Sequence, residues 1–174
     1  ARVALCQHAT IFSVEMDGEG PSPDGMRAQI RAARASGYFV PFYYTVPDGH
    51  NPGGFSFSQK RREAVLQVAR DEGILIVDDA PYLYINFAAP EDRAKPFFSM
   101  APDQTVHLFT GSKIGFPGPR VGFFYSEAEL EIAAGEKVPL SELALVESSS
   151  ELLFHSPGAL RGFEALLHAV SYTH

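Results

Sequence analysis

Cysteine is nearly missing: Cys6 is the only one in 174 residues. No intrachain disulfide and no thiolate zinc cluster can form, so a reducing compartment, the cytoplasm, is the expected location. No apolar run reaches the ~20 residues of a membrane-spanning helix, and no signal-peptide pattern opens the chain. Basic residues are the minority, 14 Lys and Arg against 21 Asp and Glu, for a formal net charge of -7. That balance argues against non-specific nucleic-acid binding through this segment, which needs clustered Lys and Arg. A small anionic ligand stays open, because one local arginine can outweigh a global negative charge. There is no internal repeat and no low-complexity stretch. A phosphate loop of the form G-x-x-x-x-G-K-[ST] is also lacking, since Ser112 and not glycine precedes Lys113. No histidine sits at ligand spacing from the paired acids Asp78 and Asp79, so no metal site is expected.

What is there reads as one soluble α/β unit. Hydrophobic content of 45% and charged content of 20% are ordinary for a globular protein, and the length allows a real core. The chain opens on "ARVALCQ" and closes on "VSYTH". Both ends read as interior to a larger protein. Strand and helix patterns alternate. Residues 11–17, "IFSVEMD", read as a strand. Residues 22–37 read as a helix, with Ser22 as N-cap, Pro23 in the first turn and Gly37 as the stop. Residues 38–46, "YFVPFYYTV", have the aromatic and β-branched content of a buried strand. Residues 58–73 form an amphipathic helix with Ala64, Val65, Val68 and Ala69 on one face and Gly73 at its end. "ILIVDD" (74–79) reads as a strand covered on both faces. Residues 105–111 and 120–126 give two more strands, and 156–170 a helix. The proline-marked segment 86–104 reads as a surface loop. Alternation of this kind implies crossovers and a mainly parallel sheet, a three-layer α/β/α sandwich. Ligands then bind beyond the carboxyl ends of the strands, where Asp79, Thr110, Ser112 and Lys113 are expected.

Three stretches could carry chemistry. In "VPDGHNPGGF" (46–55), proline and glycine around Asn51 force a tight turn. Asn51 either holds that turn or aims its amide at a ligand. In "LIVDDAPYLYINF" (75–87), the two acids are either strand-end carboxylates or include one buried carboxylate that must meet a cation. In the second case Asp79 is the buried one, with Tyr82 three residues on. In "TGSKIGFPGPR" (110–120), a Ser112–Lys113 dyad is disfavoured because neighbours on an extended strand point to opposite faces. A lysine nucleophile toward carbonyls fits better, its amine desolvated among small residues. The hydroxyls of Thr110 and Ser112 and the guanidinium of Arg120 suit a phosphate. The alternative is a surface lysine beside a structural loop.

The order Asn-Pro, then Asp-x-x-Tyr after an apolar strand, then Ser-Lys followed seven residues later by Arg, is more specific than any one piece. It resembles the large domain of fold-type I aminotransferases that use pyridoxal 5′-phosphate (PLP). The resemblance runs from about residue 11 to 170. "YTVPDGHNPGGFSFSQKRR", "ILIVDDAPYLY" and "GSKIGFPGPRVGFF" are most similar to the branch of kynurenine and 2-aminoadipate aminotransferases. The resemblance implies a PLP-transferase-like large domain over 1–155, lacking its N-terminal part. Residues 156–174 would lead toward an absent small domain. It implies amino acid and 2-oxo acid as substrates, and a homodimer. It gives Lys113 the Schiff base and the α-proton, Asp79 the ring nitrogen, and Asn51 and Tyr82 the phenolic oxygen. Thr110, Ser112 and Arg120 take the phosphate. The chain departs from the family in Thr110-Gly111-Ser112-Lys113, where Ser-x-Ser-Lys is common, and in "PGPR", where "PGLR" is common.

Competing readings are a PLP-dependent lyase on the same scaffold and a domain sensing PLP or an amino acid within a transcription factor. Of the remaining polar and aromatic residues, His107 is expected as a packed or edge histidine, and Arg61 and Arg62 on a solvated helix face. Tyr43, Tyr44 and Tyr84 are expected as core or interface aromatics, and His50 as a loop residue beside Asn51.

Overall fold

A computed structural model describes residues 10–115, 122–133 and 135–140. The chain begins with a short antiparallel hairpin, β1 (Met16–Asp17) and β2 (Gly20–Pro21). Helix α1 (Pro23–Ala35) follows, then β3 (Phe42–Thr45), α2 (Gln59–Glu72) and β4 (Leu75–Asp79). A segment with the short helix α3 (Phe97–Met100) leads to β5 (Thr105–Thr110). After it come β6 (Gly122–Tyr125) and a hairpin of β7 (Glu129–Ala133) and β8 (Glu136–Pro139). The main sheet has the order β3-β4-β5-β6. The first three strands are parallel and β6 is antiparallel to β5. The mainly parallel α/β arrangement is therefore as expected. The helix expected over 156–170 lies outside the described residues.

Both long helices begin and end where their sequences direct. The Ser22 hydroxyl accepts from the Gly25 amide and the Ser58 hydroxyl from the Arg61 amide, each at 3.2 Å. These bonds satisfy amides that have no partner in a first turn. Gly73 ends α2 at φ 60°, a left-handed conformation that only glycine takes freely. The helices are tied together by charge. Arg27, Arg31 and Arg34 of α1 all reach Glu72, and Arg27 also reaches Asp71.

The parallel register sorts the strands into two faces, because directly opposed residues share a side. Ile76, Asp78, Thr105, His107 and Phe109 face the helices and are buried. Met26 and Ile30 of α1, Val65, Leu66, Val68 and Ala69 of α2, and Phe57 and Phe97 close this core. Each of the buried Met, Ile, Val, Leu and Phe side chains among them contributes about 1.5–3 kcal/mol. Phe97 and Ala101 anchor the segment 86–104, which is otherwise largely exposed. On the other face Leu75, Val77 and Asp79 are only half-buried, while Phe42 and Tyr44 are each 52% exposed.

Three expectations are corrected. Over 11–17 only Met16 and Asp17 pair; Ile11 and Phe12 are exposed, and the segment is held by Gln29 donating to the Ser13 carbonyl. The strand in 38–46 shrinks to Phe42–Thr45, because Pro41 has no amide to pair, and it is an edge strand of the described sheet rather than a buried one. The 74–79 strand is covered on one face and half-open on the other.

Candidate active site

Strands β3, β4 and β5 run in one direction, so their carboxyl ends share one edge. Asp79 is the last residue of β4 and Thr110 the last of β5. The chain leaves β5 through a single 3-10 turn, Gly111–Lys113, which places Ser112 and Lys113 just beyond the sheet. The Thr110 hydroxyl caps this turn, accepting from the Ser112 amide at 3.2 Å and donating to the Ser112 hydroxyl at 3.1 Å. The segment is not extended, so the opposite-faces argument against a Ser112–Lys113 pair does not hold; the Ser112 hydroxyl is instead engaged by Thr110. Lys113 is exposed, and small neighbours do not desolvate it among the described residues. Its Nζ lies 5.8 Å from the centre of the Tyr82 ring.

The loop after β3 is built for rigidity. The Pro47 carbonyl accepts from the Phe57 amide at 2.8 Å, and the His50 amide donates to the Phe55 carbonyl at 2.7 Å. The Ser56 hydroxyl accepts from the Gly49 amide at 2.9 Å. His50 stacks on Phe55 with ring centres 5.0 Å apart. Gly49 has φ 54°, and a Cβ there would sit 3.4 Å from the Tyr82 Cβ. The loop and Tyr82 are thus in close contact. Asn51 stands exposed at the crest, before Pro52 in a cis peptide. Beneath it, Asp48 takes a two-point ion pair from Arg62, at 2.7 and 3.2 Å. Arg62 is fully buried and also donates to the carbonyls of Phe57, Pro47 and Lys95. It was expected on a solvated face. The α2 register turns it inward, where Asp48 compensates its charge. Arg61 also leaves solvent in part, bonding the Gly20 and Pro21 carbonyls and Asp17.

The two adjacent acids part ways. Asp78, not Asp79, is the buried carboxylate, with no exposed surface. The pleat puts it on the helix-covered face, where its Oδ2 lies 3.1 Å from Nδ1 of the buried His107. His107 packs on Phe98, ring centres 4.3 Å apart. Asp79 is half-buried on the open face and accepts a hydrogen bond from the Tyr44 hydroxyl. Partial burial, and then the bond to that carboxylate, push the Tyr44 phenol well above its ordinary range. Tyr44 was expected as a core or interface aromatic; its contact with Asp79 could have been suspected only from strand register. The structure brings Asp79, Tyr82, Thr110, Ser112, Lys113 and the Asn51 loop to one edge of the sheet. Arg120 lies outside the described residues. Among these residues there is no group of three or more His, Cys, Asp or Glu able to hold a metal, and no helix long and apolar enough to cross a membrane.

Comparison with known proteins identifies the family. An aromatic-amino-acid aminotransferase from Thermococcus litoralis is 30% identical over 125 residues, covering 69% of this chain and 30% of its own. The mitochondrial kynurenine/alpha-aminoadipate aminotransferase of Bos taurus is 32% identical over 120 residues, 65% of this chain and 28% of its own. The chain thus spans about a third, or less, of the length of these relatives. The crystal structure of LysN, an alpha-aminoadipate aminotransferase from Thermus thermophilus complexed with N-(5′-phosphopyridoxyl)-L-leucine, shares the fold. Its TM-score is 0.70 at 23% identity, covering 95% of this chain and 40% of that one. The family model for aminotransferase class I and II matches residues 45–149, the stretch that holds Asn51, Asp79, Tyr82, Lys113 and Arg120. The chain belongs to the class I and II aminotransferase family.

Proposed function

We propose that the protein moves an amino group between an amino acid and a 2-oxo acid, with PLP held at the carboxyl edge of the sheet. The observation that carries this is the placement of the Lys113 amine beside Tyr82, with Asp79 at the same edge. The donor set fits the cofactor chemically. A primary amine suits its aldehyde, a carboxylate suits its ring nitrogen, and the Thr110 and Ser112 hydroxyls suit its phosphate.

In this reading Lys113 would supply the amine that carries the cofactor and would then shuttle the proton removed from the substrate α-carbon. Asp79 would hold a proton on the ring nitrogen. Tyr82 and Asn51 would hydrogen-bond the phenolic oxygen. Thr110, Ser112 and Arg120 would bind the phosphate. Bound PLP supplies an electron-withdrawing ring conjugated to the substrate nitrogen. The named activities of the bovine and Thermococcus relatives favour aromatic, kynurenine-like or aminoadipate-like substrates. We propose a cytoplasmic location from the low cysteine content of this segment, and a homodimer from the family.

The test is the absorbance of the full-length protein titrated with PLP, before and after borohydride, beside Lys113→Ala. The expected result is a visible band in the wild type, fixed by borohydride to the peptide containing Lys113 and missing from the variant. Identical spectra for the two, without that band, would remove the cofactor assignment.

A further inference from the structure

Asp79 ends its strand half-buried, and a strand-end carboxylate turns freely about its terminal torsion, which has broad, two-fold preferences. Among the described residues one side chain restricts it: the Tyr44 hydroxyl donates to Oδ2. We propose that Tyr44 is a positioning residue for Asp79. Its phenol fixes Oδ2, so that the second carboxylate oxygen is the one presented to a pyridine nitrogen. The inference rests on the PLP reading above and assigns a role outside the Asp-x-x-Tyr motif.

The sheet makes the contact possible. Tyr44 lies opposite Val77 across the parallel β3–β4 pair, and Asp79 is two residues beyond Val77. The two side chains are therefore diagonal neighbours on one face, within reach of a long aromatic side chain. Among the described residues Tyr44 stands on an edge strand and is 52% exposed, and core packing among them does not explain it. Its ionisation is pushed upward by burial and by the carboxylate, so the hydroxyl keeps its proton and remains a donor to Asp79. The neighbouring tyrosine Tyr43 lies on the opposite face and is packed against the core. Only Tyr44 of the pair can serve.

The experiment uses the full-length protein with PLP labelled with nitrogen-15 in the ring, and compares wild type with Tyr44→Phe. Two quantities are read: the dissociation constant for PLP, and the ring-nitrogen chemical shift, which reports its protonation and hydrogen bonding. Loss of a hydrogen bond to a charged group weakens PLP binding by about tenfold or more, and the nitrogen signal moves. In an Asp79→Asn background, Tyr44→Phe changes neither quantity further. A wild type with the borohydride-fixable band and a variant identical in both quantities overturns the proposal and leaves the cofactor reading intact. Equal effects of Tyr44→Phe with and without Asp79 overturn it too, as does a large drop in the melting temperature of the PLP-free variant, which would make Tyr44 a structural residue. A wild type without the band overturns the cofactor reading itself.

Discussion

Replacing Asp48 by alanine tests how the Asn51 loop is held. Arg62 has no exposed surface and the Asp48 side chain is 7% exposed, with two contacts of 2.7 and 3.2 Å between them. An exposed pair would contribute about 0–1 kcal/mol. Breaking a buried pair costs about 3–5 kcal/mol, because the remaining charge stays buried without a counter-charge. Arg62 keeps three backbone carbonyls as acceptors, so the lower end applies, about 3 kcal/mol. Against a total stability of about 5–15 kcal/mol for a domain, that is a large fraction. Urea unfolding of the full-length protein reads it as a fall in midpoint at constant slope. Arg62→Met combined with Asp48→Ala removes both charges and fills the volume. The double variant is therefore expected to be more stable than Asp48→Ala alone by about 1 kcal/mol or more. A loss below about 1 kcal/mol for Asp48→Ala, the size of an exposed pair, or a double variant worse than the single, would refute the claim that the pair is a buried clamp.

Two further outcomes follow from the local geometry. Gly73→Ala puts a side chain at φ 60° with nothing near the new Cβ, so the cost is backbone strain alone, about 1 kcal/mol, read by the same urea titration. Asp17 is held below the ordinary carboxylate range, first by the Arg61 hydrogen bond and then by the Glu19 amide. A depressed folded value means its contribution is present above the unfolded value and is lost as pH falls through the folded one. Arg61→Met should reduce that acid-side dependence of stability measured between about pH 2 and 5, leaving the part held by the Glu19 amide; an unchanged pH profile would contradict it.

The helices were legible because their ends are written in side chains. Ser22, Ser58 and Gly73 act within one turn of where they stand, so no distant contact can move them. The parallel order of β3, β4 and β5 was legible from strand and helix alternation. What escaped reading depends on the third dimension. Arg62 looks like one of a run of charges in "SQKRRE", and only the loop folded over α2 shows that it is buried. Aromatic content does not give the length of β3 or its burial, since Phe42 and Tyr44 lie on the half-open face of an edge strand of the described sheet. Within the site, the strand-end positions of Asp79 and Thr110 came from the parallel topology. The exposure of Lys113 and the 3-10 turn after Thr110 did not, since an apolar strand followed by small residues does not say where pairing stops.

The clearest lesson in the site is the pair Asp78 and Asp79. Side chains on a strand alternate between faces, so two adjacent acids cannot share one environment. "ILIVDD" already contains the answer: Asp78 follows Ile74 and Ile76, both buried, and Asp79 follows Leu75 and Val77, both half-buried. The helices cover the face of Ile74 and Ile76 and take Asp78 with it, and a buried carboxylate there needs a polar partner across the ladder. His107 lies opposite it in register. The other face, less covered, leaves Asp79 able to reach a ligand. Burial therefore separates the two acids: the fully buried member has its Oδ2 engaged by His107 across the ladder, and the half-buried one stays available to the carboxyl edge.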